Sequence, residues 1–141
     1  MEKIIIYTDG GARGNPGPAG IGALIMDANE TVLKEISEYI GHATNNIAEY
    51  TALVRALEEI KKIFGKKTRS MDIEVRMDSE LVVRQLSGTY KVRDANLKEK
   101  FSQIAHMRME DFPNIVFAHI RREKNAHADS LVNAAIDEAQ K

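Results

Sequence analysis

Cysteine and tryptophan are absent from this sequence of 141 residues, proline occurs only three times, and neither sign of charge prevails. Without cysteine the chain cannot form disulfides, thiolate zinc sites, iron–sulfur clusters or a cysteine nucleophile. The formal net charge of -1 excludes a protein that coats nucleic acid through bulk positive charge. A bound polyanion would therefore need a local site or a metal ion.

Long apolar runs are also absent. The three isoleucines after Lys3 form a stretch far too short for a signal peptide or a membrane span, so we expect a cytoplasmic protein without membrane contact. With 43% hydrophobic and 29% charged residues, the composition is that of a globular protein. The length predicts a single domain over residues 1–141.

The hydrophobic pattern predicts five strands and four helices. Runs of β-branched or alternating apolar residues indicate the strands, and apolar residues at intervals of three and four indicate the first helix, which Gly65 can close. The predicted strands cover residues 3–8, 21–26, 32–40, 71–77 and 115–119, and the predicted helices cover residues 47–64, 79–86, 96–108 and 126–139. Six of the nine glycines lie between Gly10 and Gly22, which predicts a long shaped loop there.

This order of elements predicts an α/β fold with a five-stranded mixed sheet and helices on both faces. The second and third strands should form an antiparallel hairpin. The first and fourth strands should be parallel neighbours, because the helical crossover between them suits a right-handed return to the same sheet. Their carboxyl ends would then lie side by side, where open sheets of this kind bind ligands.

Four acidic residues lie at the ends of predicted elements. Asp9 follows the first strand and Asp78 the fourth, while Glu49 and Asp129 lie in the first turns of two helices. Each has an ordinary structural explanation as well. Asp9 can begin a glycine turn, and Asn46-x-x-Glu49 fits a capping box. Asp78 can cap a helix, and Asp129 can complement a helix dipole.

The joint arrangement of these acids favours a metal site. Several carboxylates in one place repel each other unless cations lie between them, and oxygen ligands indicate a hard cation, Mg²⁺ or Mn²⁺. Two such ions can activate a water and stabilise the leaving oxygen of a phosphodiester, so we expect phosphodiester hydrolysis. Before the first helix, Thr44-Asn45-Asn46 offers donors suited to sugar hydroxyls and phosphates, although alone it is an ordinary cap.

Five motifs, in order along nearly the whole chain, resemble the ribonuclease H type 1 family. The motifs are Tyr7-Thr8-Asp9-Gly10-Gly11, Gly14-Asn15-Pro16-Gly17-Pro18-Ala19-Gly20, Thr44-Asn45-Asn46-x-x-Glu49, Met77-Asp78-Ser79 and His119-x-x-Arg122-Glu123-x-Asn125-x-x-x-Asp129-x-Leu131. One of them alone would be weak evidence, but together they are specific. The resemblance implies a ribonuclease H-like fold.

The resemblance also implies an endonuclease that cuts the RNA strand of RNA–DNA hybrids and leaves 5′-phosphate and 3′-hydroxyl ends. It assigns metal binding and catalysis to four residues, with two Mg²⁺ or Mn²⁺ ions per site: Asp9, Glu49, Asp78 and Asp129. It implies that Asn15, Asn45 and Asn46 contact the nucleic acid, some of them at RNA 2′-hydroxyls, and Thr44 belongs to the same motif. Activity on double-stranded RNA stays open, and we expect a monomer.

The chain departs from the family pattern at two places. The usual glycine-rich loop around the family's histidine is replaced here, so His119 is either structural or an aid to proton transfer, and Arg122 is a competing candidate that could hold a phosphate. The segment 87–96 is too short for the basic, tryptophan-bearing protrusion of some relatives, although Lys91 and Arg93 could replace part of its charge. We expect a short form without that protrusion or a hybrid-binding domain, with weaker and more salt-dependent hybrid binding.

Three other functions fit parts of the sequence. The same fold serves nucleases with other substrates, such as integrase-like or junction-cutting enzymes. A non-catalytic nucleic-acid-binding module would keep the fold without cleavage, but the presence of all four acids argues against it. A helix-capped structural protein that happens to bind cations would show no nuclease activity.

Overall fold

The computed structural model describes residues 2–141, which form one mixed sheet of five strands with four α-helices. The elements in chain order are β1 (Lys3–Ala12), β2 (Gly17–Asp27), β3 (Val32–Ala43), α1 (Asn45–Phe64), β4 (Asp72–Met77), α2 (Glu80–Leu86), α3 (Ala95–Glu110), β5 (Ile115–His119) and α4 (Ala126–Ala139). Short 3-10 helices cover Gly65–Ser70 and Arg122–Lys124. Within residues 2–141, no helix has the length and apolar character needed to cross a bilayer.

The sheet has the strand order β3-β2-β1-β4-β5. β1, β2 and β3 form an antiparallel meander, while β4 pairs in parallel with β1 on one side and with β5 on the other. The predicted mixed sheet, the hairpin and the parallel neighbours are all confirmed. The parallel pairs bring the carboxyl ends of β1, β4 and β5 to one end of the sheet.

The predicted loop between Gly10 and Gly22 is wrong. β1 continues to Ala12 and β2 begins at Gly17, so only residues 13–16 connect them. The glycines of this stretch mostly lie in paired strands, with Gly10 opposite Ile21 and Gly22 opposite Asp9.

Close helix packing explains why glycine occupies these strand positions. A Cβ atom on Gly10 would lie 2.3 Å from the carbonyl carbon of Ala48 in α1, and one on Gly22 would lie 2.3 Å from the carbonyl oxygen of Ala128 in α4. Real Cβ atoms do not approach backbone this closely, so the helix backbones press directly on the sheet. Gly22 pairs with Asp9, the residue before Gly10, so Gly10 and Gly22 lie on opposite faces of the sheet. Since α1 packs on one and α4 on the other, the expectation of helices on both faces is confirmed.

The apolar stripe of α1 forms the centre of the core. Of its predicted members, Tyr50, Leu53, Leu57 and Ile60 are fully buried, and they pack against apolar side chains of β1, β2 and β4. Burying an aliphatic or aromatic side chain contributes about 1.5–3 kcal/mol. The predicted end of this helix is also confirmed, since Gly65 takes the positive φ of 59° that glycine allows. This packing anchors the helix that carries Glu49.

Candidate active site

Three of the predicted acids, Asp9, Glu49 and Asp78, converge at the carboxyl end of the sheet. Each offers a carboxylate oxygen, and these oxygens all lie within 4.8 Å of one another. The parallel register pairs Tyr7 with Arg76, so two residues further on Asp9 and Asp78 stand side by side. Asp9 lies within β1 and not after it, because β1 extends past the end of β4.

Glu49 enters this cluster from α1, above Gly10. Its Oε1 atom accepts a hydrogen bond of 2.8 Å from the backbone N–H of Gly10. The capping-box explanation is wrong, because Thr44 caps the helix by accepting from the N–H of Ile47, and the helix begins at Asn45, which puts Glu49 in the second turn. The other oxygen, Oε2, is buried without a hydrogen-bond partner within residues 2–141.

Asp78 is oriented by a residue of the last helix. The side-chain N–H of Asn125 donates to Oδ2 of Asp78 over 3.1 Å. The alternative in which Asp78 caps the next helix is wrong, since the Ser79 side chain accepts from the N–H of Val82 and supplies that cap. The Asp78 carboxylate is therefore available to the cluster.

Burial and repulsion from neighbouring carboxylates favour the protonated forms of Asp9 and Glu49. Burial raises the pKa of Asp9 from 3.8 to about 7, the hydrogen bond with Glu49 opposes the rise, and the charges of Asp78 and Asp129 add to it. Burial also raises the pKa of Glu49 well above its ordinary value, and the Asp9 carboxyl adds to that rise. Without a cation, Asp9 and Glu49 therefore hold protons at higher pH than ordinary carboxyl groups do.

The donor set fits a divalent cation. All three groups are carboxylates, which suit hard cations, and the unpartnered buried Oε2 of Glu49 is an oxygen whose desolvation a cation would offset. Asp129 lies in the first turn of α4, as predicted, and lines the same cavity. It is exposed and outside the group of three, so the structure places it at the rim.

The cluster opens into a cavity of about 440 Å³ that includes several other predicted site residues. Asn45, Asn46 and Arg122 line it. His119 pairs with Met77 at the end of β5 and is exposed, and among the described residues 2–141 it is not one of those that line the cavity. Of the two candidates left open by the sequence, the structure thus brings Arg122 to the cavity.

The predicted asparagines hold the β1–β2 connection against the start of α1. Oδ1 of Asn15 accepts from the backbone N–H of Asn45 over 2.9 Å, and Oδ1 of Asn45 accepts from the backbone N–H of Ala12 over 2.8 Å. Thr44 is used as the helix cap. In both bonds Oδ1 is the acceptor, and the side-chain NH₂ donors of Asn15 and Asn45 are not used in them.

Arg13 also lines the cavity, although it is not among the site residues predicted from the sequence. Its guanidinium lies 2.6 Å from a carboxylate oxygen of Asp137, 3.0 Å from Oε1 of Gln140 and 3.4 Å from Oδ1 of Asn133. Asn133 and Asp137 are at positions i and i+4 on one face of α4, and Gln140 is the residue that caps its carboxyl end. That spacing of acceptors was a usable signal, but nothing local connects it to Arg13, which is 120 residues away from Asn133.

Comparison with known proteins gives matches over most of the chain. A family model described as reverse transcriptase-like matches residues 7–135. The bifunctional protein Rv2228c of Mycobacterium tuberculosis is 42% identical over 97% of this chain, and ribonuclease HI of Halobacterium salinarum is 39% identical over 97%. The chain spans 36% of the mycobacterial protein and 66% of the Halobacterium protein.

A solved structure matches the fold over its full length. LC11-RNase H1, isolated from compost by a metagenomic approach, is 64% identical, with a TM-score of 0.95 and 100% of both chains covered. The same protein has been solved in complex with an RNA/DNA hybrid, at 63% identity and a TM-score of 0.94, covering 98% of this chain and 99% of that one. On this likeness of sequence and fold, the chain belongs to the ribonuclease H type 1 family.

Proposed function

We propose that this protein is a metal-dependent endonuclease that hydrolyses the RNA strand of RNA–DNA hybrids and leaves 5′-phosphate and 3′-hydroxyl ends. The observation that carries the proposal is the convergence of Asp9, Glu49 and Asp78 within 4.8 Å at an open cavity. The similar LC11-RNase H1 binds an RNA/DNA hybrid, which supports the substrate class.

The carboxylates would act as ligands for two Mg²⁺ or Mn²⁺ ions and not as nucleophiles. Asp9, Glu49 and Asp78 would hold the ions, and Asp129 at the cavity rim would complete the set. The bound ions would supply an activated water and charge stabilisation at the leaving oxygen. The chain's own contribution is to hold buried carboxylates ready, with Glu49 fixed by the Gly10 N–H.

Polar groups at the start of α1 are proposed to recognise the RNA strand. Asn45 and Asn46 line the cavity, and the Oδ1 of Asn45 is already bound to Ala12, so its NH₂ group is the part left for substrate. An amide donor can bind a 2′-hydroxyl, which distinguishes RNA from DNA. Asn15 and Thr44 support this surface through the Asn45 N–H and the helix cap. Reading the backbone in this way makes cleavage independent of base sequence.

Arginine at the cavity is proposed to bind the phosphodiester. Arg122 lines the cavity and His119 does not, so we assign the phosphate contact to Arg122. A guanidinium stays charged and cannot act as a base near neutral pH. Proton transfer by His119 is therefore the less supported alternative.

The proposal is tested by incubating labelled RNA–DNA hybrid, double-stranded RNA and double-stranded DNA with the protein in EDTA, Mg²⁺ or Mn²⁺. We expect cleavage of the hybrid's RNA strand only with a divalent ion, and loss of cleavage in Asp78→Asn. Asp72→Asn is the matched control, since Asp72 lies at the other end of the same strand.

Three results would contradict the proposal. Binding of hybrid without cleavage would indicate a non-catalytic module, and equal cleavage of duplex DNA would indicate another nuclease of this fold. Inactivity with every metal would leave a structural protein.

The cytoplasmic location, the monomeric state and the single domain remain predictions. Size-exclusion chromatography checks the monomeric state.

A further inference from the structure

Asn125 is a buried polar residue at the start of α4 that contacts two other elements. It is 1% exposed. Its side-chain Nδ2 donates to the backbone carbonyl of Thr8 over 2.9 Å and to Oδ2 of Asp78 over 3.1 Å. Within residues 2–141, this is the side-chain donor that reaches the Asp78 carboxylate.

The side chain of Asn125 does not form the capping hydrogen bond that is usual for an asparagine at a helix N-cap. Asparagine is a favoured helix N-cap, yet Asn125 caps α4 with no side-chain hydrogen bond. Within the described chain from Glu2 onward, its Oδ1 is buried without a hydrogen-bond partner, which is unfavourable. The reversed amide would place that oxygen against two acceptors, the Thr8 carbonyl and the Asp78 carboxylate, so only the observed orientation satisfies both contacts.

The position of Asn125 links three of the four acids. Thr8 directly precedes Asp9, Asp78 accepts from the side chain, and the N–H of Asp129 donates to the backbone carbonyl of Asn125 in the first turn of α4. We propose that Asn125 is a positioning residue that orients the Asp78 carboxylate for cation binding. This inference rests on the proposed metal-dependent function.

The test measures cation affinity apart from catalysis. Thermal unfolding of the wild type, Asn125→Ala and Asn125→Ser is followed as MnCl₂ is added, and the rise of the midpoint gives the Mn²⁺ affinity through linkage. We expect about a 10- to 100-fold loss of affinity in both variants, the range typical for residues that orient metal ligands. Serine keeps a good N-cap for α4 but is too short to hold both contacts, so it serves if the alanine variant fails to fold.

A stability control separates orientation from general loosening. Ile104→Val shortens a buried side chain of α3 away from the cavity and should bind Mn²⁺ within about twofold of the wild type. In cleavage assays at fixed Mn²⁺, Asn125→Ala should lower kcat while the KM for hybrid changes by less than about threefold.

Two outcomes would overturn the inference. Variants of Asn125 that unfold more easily but bind Mn²⁺ as tightly as the wild type would show a purely structural residue. If the thermal unfolding midpoint of the wild type does not rise with Mn²⁺, the site does not bind the cation, and Asn125 cannot orient Asp78 for cation binding. If the wild type binds Mn²⁺ but leaves hybrids intact, the proposed function fails, and the affinity comparison still decides the role of Asn125.

Discussion

Replacing Asp9 by asparagine is expected to stabilise the metal-free protein while abolishing cleavage. Asp9 is 8% exposed and lies among the carboxyl groups of Glu49, Asp78 and Asp129. An uncharged amide at this position removes the buried charge and can donate a hydrogen bond to Glu49. The same change removes a ligand of the proposed metal site, so stability and activity should move in opposite directions.

The magnitude follows from the pKa of Asp9. Its rise from 3.8 to about 7 means that the folded state binds this proton more tightly than the unfolded state. Each tenfold change in an acid constant corresponds to about 1.4 kcal/mol, so the rise amounts to about 4 kcal/mol. In the wild type, the tighter proton binding of folded Asp9 stabilises the fold in full below the pKa that Asp9 has in the unfolded chain. This stabilisation is lost progressively as the pH rises from about 4 to about 7.

The assay is urea unfolding in EDTA between about pH 5 and about pH 8, followed by circular dichroism. At the upper pH, Asp9→Asn should exceed the wild type by up to about 4 kcal/mol, and this advantage should shrink as the pH falls. Asp72→Asn serves as the control and should show no such trend. If Asp9→Asn is no more stable than the wild type at about pH 8, burial does not raise the pKa of Asp9 and the reasoning fails.

Three further predictions concern the cavity and the sheet. Arg122→Ala should reduce the slope of log affinity for hybrid against log salt by about one, measured across a salt series, and an unchanged slope would exclude a phosphate contact. Gly10→Ala should lower the free energy of unfolding by about 3 kcal/mol, whereas Gly11→Ala, whose Cβ would meet nothing nearer than 3.8 Å, should change it by under about 1 kcal/mol. Arg122→Ala should raise KM, while His119→Ala should stay within about twofold of the wild type in steady-state kinetics. A larger kinetic effect of His119→Ala than of Arg122→Ala would instead assign a role in the reaction to His119.

Local signals in the sequence determined most of the secondary structure. Residues 115–119 and 126–139 form the strand and the helix that were predicted, because their apolar spacing and flanking residues act within a few positions of each other. The apolar stripe of α1 and the end of this helix at Gly65 were likewise predicted from the local sequence. The predicted topology also indicated that Asp9, Glu49 and Asp78 would lie close together, since the carboxyl ends of parallel strands meet at one end of the sheet.

Only the tertiary structure decided how the glycine-rich stretch and the site are built. The position of Gly10 in β1 requires glycine because α1 packs on it, and the Glu49 carboxylate accepts from its N–H across 39 residues of sequence. Asn125 reaches Asp78 across 47 residues, and Arg13 reaches α4 across 120. Propensity and periodicity describe neighbours along the chain, whereas these contacts depend on the distance between packed helices and the sheet, which no local pattern contains.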